Sequence, residues 1–428
     1  MPKILLVTVG SRGDVQPYVA LGHSLQAAGH DVTVATCERF QSFVTGHGLA
    51  FGSLSDGFME LIDSQEGRTA MDDASGVLGL VRMNIQLARK AGLINRELMS
   101  DVWRVARSVE PDIVVYHPKA LAGPHVAEAL GVPAVLAVPV PVAVPTGAFP
   151  VVGMPNLPLG AWYNRLTYRL VAAGYKGYNK MVNTFRRDAL GLGVVKGAAM
   201  ATHRPGGQPT PVLHGISRHV VPRPADWPEH ADLTGYWFLD GTDDWTPPTD
   251  LVDFLAAGEP PVYVGFGSMA GRDPKRVTGS VVGALRLAGV RGIIATGWGG
   301  LEPVDLPDTV LRITEVPHDW LLPRVSAVVH HGGAGTTAAA LRAGKPAVIC
   351  PFIVDQFFWG RQVAALGAGS TPIPQAKLTA QRLADALREV TTSTRVQHTA
   401  AEIGRRIAAE NGAADAVARI EAIMSRTS

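Results

Sequence analysis

Residues Ser326 to Gln356, SAVVHHGGAGTTAAALRAGKPAVICPFIVDQ, read as strand, glycine-rich turn, helix, strand and loop. Ala327, Val328 and Val329 form a short apolar strand, and His330-His331-Gly332-Gly333-Ala334-Gly335 is a turn with almost no side-chain bulk. Thr336 to Ala343 predicts a helix, and Gly344 stands where a helix C-terminus wants a residue at positive φ. Ala347 to Cys350 is the next strand, closed by Pro351. A glycine turn feeding a helix N-terminus offers unpaired N–H groups and the positive end of the helix dipole, which suits phosphate. The same turn also serves as a plain βα connection. A histidine at its mouth, the Thr336 hydroxyl and the polar pair Asp355-Gln356 one strand later weigh toward a bound phosphorylated ligand.

Outward from that stretch the same grammar recurs. Lys3 to Val9 is a continuous apolar run, as in a parallel strand covered on both faces. Gly10-Ser11-Arg12-Gly13 turns the chain, a helix is predicted over Val15–Ala28 with Pro17 in its first turn, and Asp31–Thr36 is a second strand. That βαβ unit sets the class as α/β with a doubly wound sheet. From Phe51 to Gly92 the pattern loosens and reads as loops and mobile helices. Helices are predicted at Arg96–Val109 and Leu121–Leu130, with strands at Ile113–Tyr116 and Val132–Val138. Six prolines between Pro139 and Pro158 exclude a regular ladder and predict an ordered loop. Aromatic residues from Trp162 to Leu190, at helical spacing, form either a core-facing stripe or a greasy pocket wall.

Asp240 to Pro261 is acidic and proline-rich, which predicts a linker; Pro261 to Phe266 and Gly267-Ser268 then repeat strand and turn. The expected organisation is an N-terminal acceptor-binding Rossmann-like domain over 1–239, a linker over 240–260 and a C-terminal donor-binding Rossmann-like domain over 261–410. Residues 411–428 are expected to form a helix packing back on the N-terminal domain. Two such domains facing each other would make a cleft at the carboxyl ends of their strands.

At 428 residues and 46% hydrophobic, the chain has material for a core in each domain. A net charge of +2 supplies no global field for nucleic acid. Cys37 and Cys350 read as reduced core residues of a cytoplasmic protein. The N-terminus is one strand long rather than a signal peptide, and no apolar run reaches about 18 residues, so no stable membrane insertion is expected.

The chemistry-bearing candidates lie at strand ends. Ser11, Arg12, Gly13 and Asp14 follow the first strand; Ser268, His331, Gly333, Ala334, Gly335 and Thr336 belong to the second domain. Asp14 reads either as an N-cap, although Pro17 leaves no Glu or Gln to complete a capping box, or as a general base. His330 and His331 are adjacent on an extended segment and point to opposite sides, so they do not chelate a metal together. A metal-free phosphate site is expected, its charge carried by N–H groups, His331 and Arg12. Asp355 and Gln356 offer acceptor and donor groups suited to vicinal sugar hydroxyls, or are an exposed pair without a role.

HHGGAGTTAAALRAGKPAVICPFIVDQFFWG, preceded by VPHDWLLPRVSAVVHHGG, resembles the donor-binding segment of GT-B nucleotide-sugar-dependent glycosyltransferases of the UDP-glucuronosyl/UDP-glucosyltransferase superfamily. GSRGDVQPYVALG, YHPKALAGPHVAEALGVP, LGAWYNRLTYRL and TGWGGL are similar to sterol glucosyltransferases and bacterial antibiotic glycosyltransferases. The resemblance implies the GT-B fold and an inverting, metal-independent transfer of a hexose from a nucleotide-sugar such as UDP-glucose, a co-substrate, to a hydroxyl of a lipophilic, sterol-like or natural-product acceptor. By position it places His331, Gly333, Ala334, Gly335, Thr336 and Ser268 on the diphosphate and Asp355 and Gln356 on the sugar. Ser11, Arg12 and Gly13 match a loop that reaches the diphosphate in antibiotic enzymes, and Asp14 matches its base.

The chain departs from the pattern in three places. Aspartate stands at 14 where many plant and mammalian members have the histidine base, and their helper aspartate falls at His117, which either tunes Asp14, binds acceptor or is structural. Glu315 replaces the uracil-stacking tryptophan, leaving base recognition to the Val316 backbone or Trp298, and Ala339 replaces a ribose-binding glutamate. Uridine and thymidine donors therefore both stay open. Phe51, Phe58, Trp162 and Tyr163 hint at a multi-ring aglycone. A nucleotide-sugar epimerase and a non-catalytic binding protein are the competing readings; neither strand-one loop is the GxGxxG of a dinucleotide oxidoreductase.

Overall fold

The structure is a computed structural model that describes residues 1–64, 76–199, 202, 209–241, 245–267, 273–296 and 306–426. The chain divides into two compact units. One comprises Met1–Arg218, Pro222–Leu239 and Asn411–Ser428; the other comprises His219–Val221 and Asp240–Glu410.

The first unit is built on a seven-stranded sheet of β1 (Lys3–Val7), β2 (Asp31–Cys37), β3 (Ala50–Leu54), β4 (Ile113–Tyr116), β5 (Ala134–Val138), β6 (Val212–His214) and β7 (Ala231–Leu233). All pairs are parallel and the order is β3-β2-β1-β4-β5-β6-β7. The chain thus lays strands one way from β1, then returns to β1's other edge with β4, which makes the β1–β4 gap the topological switch point. Ile4 and Leu6 belong to one apolar cluster and Leu5 and Val7 to another, so alternate residues of β1 bury both sheet faces. Its helices include α1 (Arg12–Ala27), α2 (Gln41–Gly46), α3 (Gly57–Asp63), α4 (Gly76–Val109), α5 (Gly123–Leu130), α6 (Gly160–Tyr175) and α7 (Asn179–Asp188). Ala416, Val417 and Ile420 of a C-terminal helix (Gly412–Ser425) pack with α1's Val15, Val19 and Leu25 in the same cluster. Gly412 allows the close approach, since a Cβ there would stand 2.5 Å from the Gly235 backbone.

The second unit carries a five-stranded parallel sheet of β8 (Val262–Gly265), β9 (Gly292–Ala295), β10 (Val310–Ile313), β11 (Ala327–His330) and β12 (Ala347–Ile349), in the order β10-β9-β8-β11-β12. Its switch point lies between β8 and β11. Its α-helices, among the described residues, are α8 (Thr249–Ala256), α9 (Pro274–Ala288), α10 (His318–Leu321), α11 (Ala334–Arg342), α12 (Gln356–Ala365), α13 (Ala380–Thr392) and α14 (Thr394–Ala408).

Four sequence expectations are corrected. Residues 51–92, read as loose, contain most of β3 and the beginning of the 34-residue α4. The stretch read as a linker, 240–260, contains α8, whose Leu251 is fully buried in the second unit's core. The aromatic run is not one stripe: Tyr168 and Phe185 are buried, while Trp162 is 63% exposed. Finally, α1 begins at Arg12 with Ser11 as N-cap, so Asp14 is the third helical residue rather than the cap.

Candidate functional site

At the first switch point the loops after β1 and β4 lie side by side because β1 and β4 are paired. Gly10 holds φ +141°, and a Cβ there would fall 2.1 Å from Asp14 Oδ2 and 2.8 Å from Lys119 Nζ. Only glycine leaves room for that contact. Asp14 Oδ2 accepts from the Ser11 backbone N–H at 2.8 Å and from the Ser11 hydroxyl at 3.2 Å. This is the carboxylate half of a capping box made with Asp at the third helical position. Lys119 Nζ donates to the same oxygen at 2.9 Å. His117 Nε2 lies 3.4 Å from Oδ1.

The hydrogen bonding assigns the histidine tautomer. His117 Nδ1 accepts from the Lys119 backbone N–H at 3.2 Å, which puts the ring hydrogen on Nε2, facing Asp14. His117 is buried, and burial, offset in part by Asp14, holds its pKa down at about 3. It is a neutral donor at physiological pH. Burial pushes the Asp14 carboxyl upward, but Lys119, then His117 and the hydrogen bonds outweigh it, and the pKa ends below the ordinary carboxylate value. Asp14 is thus a charged carboxylate, 18% exposed, with one oxygen crowded by donors and the other facing a neutral imidazole. Such a group can orient a hydroxyl and take its proton.

Lys119 is the member that sequence reasoning missed. A lysine three residues beyond the end of β4 was the available signal, but only the strand order puts it beside Asp14. Arg12, read as a diphosphate ligand, is exposed; its Nε donates to Gln16 at 3.2 Å and its guanidinium lies over the Phe43 ring at 5.1 Å. Ser11 and Gly13 are exposed beside it.

In the second unit, β11 delivers His330 and His331 to the mouth of the turn before α11. His330 is fully buried and its Nδ1 accepts from the Gly332 N–H at 3.0 Å. The two rings are perpendicular, with centroids 6.3 Å apart, so they do not converge on one ion. Burial, opposed by the Gly265 backbone, brings the His331 pKa down to about 4. His331 is therefore a neutral ring. Gly332 has φ +94°, and a Cβ on it would stand 2.7 Å from Ile349 Cγ2; one on Gly333 would stand 2.6 Å from His331 Nε2. Gly335 differs: it is exposed, with nothing within 4 Å of where its Cβ would be. The first turn of α11, Ala334, Gly335 and Thr336, thus has its leading N–H groups beside open space.

Asp355 is the N-cap of α12, and its Oδ2 accepts from Trp359 Nε1 at 3.2 Å. Gln356 is buried and its Oε1 accepts from the N–H groups of Phe352 (2.7 Å) and Ile353 (3.2 Å). Its oxygen fastens the loop, which leaves the amide NH₂ as the group it can offer a ligand. Val354, immediately before Asp355, has φ +45°, a region β-branched residues avoid. Val316 packs partly buried against the second unit's core, Glu315 is exposed and Ala339 is half-buried. Ser268 and Trp298 lie outside the described residues. Among the described residues no group of three His, Cys, Asp or Glu side chains is placed to hold a metal ion.

Comparison with known proteins reaches both units. Residues 4–146 match the glycosyltransferase family 28 N-terminal domain, and residues 298–423 match the C-terminal domain of erythromycin biosynthesis protein CIII-like proteins. A sterol 3-beta-glucosyltransferase of Yarrowia lipolytica is 38% identical over 97% of this chain, which spans 28% of that protein's length. The glycotransferase of kitacinnamycin superposes with a TM-score of 0.73 at 20% identity, covering 99% of this chain and 100% of the other. The Streptomyces sp. SF2575 glycosyltransferase SsfS6, complexed with thymidine diphosphate, gives a TM-score of 0.64 at 22% identity over 99% of this chain and 100% of its own. With two parallel-sheet Rossmann-like units, a glycosyltransferase family 28 N-terminal domain, an erythromycin biosynthesis protein CIII-like C-terminal domain and sterol 3-beta-glucosyltransferase relatives, the chain belongs to the GT-B UDP-glycosyltransferase superfamily.

Proposed function

We propose that this chain transfers a hexose, with UDP-glucose as the leading donor, to a hydroxyl of a lipophilic, sterol-like or natural-product acceptor, with inversion and without a metal. The observation that carries the reading is the Asp14 carboxylate at the β1–β4 switch point, charged, partly accessible and held by Ser11, Lys119 and His117. An acceptor oxygen oriented on Asp14 attacks the anomeric carbon of the donor and gives its proton to the carboxylate. The bond from that carbon to the diphosphate breaks on the opposite side, and the electron pair leaves with the diphosphate. The N–H groups of Gly333, Ala334 and Gly335, with the Thr336 hydroxyl, are the groups available to that growing charge, and His331 stands beside them with its ring on the Gly265 backbone. Donors of this kind act most where charge develops. Asp355 and the Gln356 amide would hold sugar hydroxyls. His117 would keep the Asp14 oxygen aimed while staying neutral.

The acceptor class rests on the sterol glucosyltransferases, of which this chain spans only a part. A thymidine diphosphate donor is the second reading. It is favoured by Glu315 and Ala339, which stand where the superfamily's uracil-stacking tryptophan and ribose-binding glutamate are expected, and by the nucleotide bound in a structural neighbour. Mass spectrometry of reactions crossing UDP- and dTDP-sugars with a panel of lipophilic alcohols tests both. A glucoside formed from UDP-glucose is the expected product. Products only with dTDP-sugars would transfer the donor assignment, and no product from any pair would overturn the enzyme reading.

A further inference from the structure

Six of the twelve large apolar side chains most exposed among the described residues fall between Leu157 and Val171. They are therefore a patch rather than the scattered apolar exposure normal for a protein surface. The patch is organised by α6. Asn164, Thr167 and Tyr168 turn one side of the helix into the protein. Trp162 (63% exposed), Leu166 (37%) and Leu170 (55%) recur every four residues on the opposite side, and Leu159 extends the row from the residue before the helix. Arg165 and Arg169 run along one flank of the row, both exposed, and Lys176 continues that flank beyond the helix. Arg165 is also paired with Asp226 at 2.7 Å.

Between Pro139 and Ala199 the sequence has seven lysines and arginines and a single acid, Asp188. Arg186 is buried against Glu128, Arg187 faces Asp188 and Arg165 faces Asp226, which leaves Arg169, Lys176, Lys180 and Lys196 without an acidic partner among the described residues. Near the end of α6 a hollow of about 380 Å³ is lined by Ala172, Lys176, Asn179, Lys196 and Gly197. The surface facing that space is mostly apolar. An exposed Trp/Leu row with arginine and lysine at its edge is the composition of a helix that lies in a lipid–water interface. A protein partner would be met as well by the apolar row alone; the cationic flank of Arg169, Lys176, Lys180 and Lys196 is what an anionic headgroup layer requires.

We infer that the α6 face is a peripheral docking surface for an anionic lipid bilayer. Trp162, Leu166 and Leu170 enter the headgroup boundary, and Arg169, Lys176 and Lys196 meet lipid phosphates. The inference concerns the first unit alone and does not depend on which donor or acceptor the enzyme uses.

Co-sedimentation of the full chain with vesicles reads it without turnover. The wild-type chain is expected to sediment with vesicles of phosphatidylglycerol and phosphatidylcholine in equal parts, to bind phosphatidylcholine alone far less, and to be released by salt. Leu166→Glu with Leu170→Glu should lower partitioning by about tenfold or more, because two apolar contacts become charged. Arg169→Glu with Lys176→Glu should lower it on anionic vesicles and leave the weak binding to phosphatidylcholine unchanged. Both pairs are at exposed positions, and circular dichroism and Tm establish that each variant is folded. A wild-type chain left in the supernatant with anionic vesicles would overturn the inference, as would a leucine double variant that sediments equally. So would a wild-type dimer that the leucine substitutions dissolve in the absence of any vesicle binding, since the row would then serve a second copy of the chain.

Discussion

The turn after β1 and the turn after β11 are built alike and filled differently. Each leaves the carboxyl end of a parallel strand at a switch point, passes through glycine at positive φ and enters a helix N-terminus. At the first, the protein's own carboxylate occupies the place an anion would take: Asp14 accepts the Ser11 N–H, and Lys119 neutralises it. At the second, among the described residues, nothing stands within 4 Å of where a Gly335 Cβ would be, the His331 ring is neutral, and no side chain caps α11. One helix start is satisfied from within and presents a base; the other has no side-chain cap among the described residues and presents donors. The same local geometry thus serves opposite charges, and the residue three positions into the helix decides which.

The largest expected effect comes from breaking the first turn. Asp14→Asn retains an oxygen that can accept the Ser11 N–H, so α1 keeps its cap, but it removes the base. Turnover should fall by at least about 10²–10⁴-fold while nucleotide binding, measured by calorimetry, is retained. Near-normal turnover would take the base role from Asp14. Next in size is Gly335→Ala in the second turn. Alanine meets no atom of the protein there and should stabilise α11 by about 1 kcal/mol or less, yet its methyl group stands where a diphosphate would approach. Tm should rise slightly while nucleotide affinity drops by about tenfold or more. If affinity is unchanged, the open N-terminus is not the phosphate site.

Lys119→Met asks whether the charge in the first turn is set by its neighbour. Without the ammonium, burial is less opposed and the Asp14 pKa moves up from its lowered value. The sign follows: Asp14, with a depressed folded pKa, contributes stability above its unfolded pKa that is lost as pH falls through the folded one. In the variant that contribution shrinks, and the acid limb of kcat/KM shifts to higher pH. Activity near neutrality should be kept or raised, because a carboxylate of higher pKa is the stronger base. A pH–rate profile identical to wild type would mean that Lys119 does not touch Asp14 in the working enzyme.

How much of this was legible in the chain follows from which interactions are local. The apolar runs at Lys3–Val9 and Ala327–Val329 identify both central strands, because a strand buried on two faces has no reason to alternate. Gly344 marks the end of α11 for a steric reason that any sequence displays, and its φ is +66°. Asp14 and the Gly332–Gly335 turn could be singled out, since glycine and helix-start chemistry act within a few residues. Lys119 could not: its contact with Asp14 spans 105 positions and exists because β4 pairs with β1. The neutrality of His331 depends on burial beside Gly265 and His318, which no local pattern encodes. The start of α1 was misplaced because an aspartate before an apolar run looks like a cap, whereas Ser11 holds that place and Asp14 answers from one turn in.

The smallest effect lies in the loop that carries Asp355. Val354 is held at φ +45° between residues whose positions are fixed: Gln356 Oε1 accepts the N–H groups of Phe352 and Ile353, and Asp355 accepts Trp359 Nε1. A β-branched residue in that conformation costs on the order of 1–3 kcal/mol, offset by those bonds. Val354 is 37% exposed, so little packing is lost on shortening it. Val354→Gly should therefore raise stability by roughly 0.5–1 kcal/mol, the relieved strain being reduced by glycine's larger unfolded-state entropy. Val354→Ala keeps the Cβ and most of the strain, and should lower stability slightly. Opposite signs in the two denaturation curves identify strain, because a loss of packing would move both the same way. If Asp355 binds a sugar hydroxyl, the glycine variant should also raise the donor KM a few-fold with kcat little changed, since a relaxed loop presents the carboxylate in more than one position. A donor KM equal to wild type would separate the strain from binding and leave Val354 as a feature of loop closure alone.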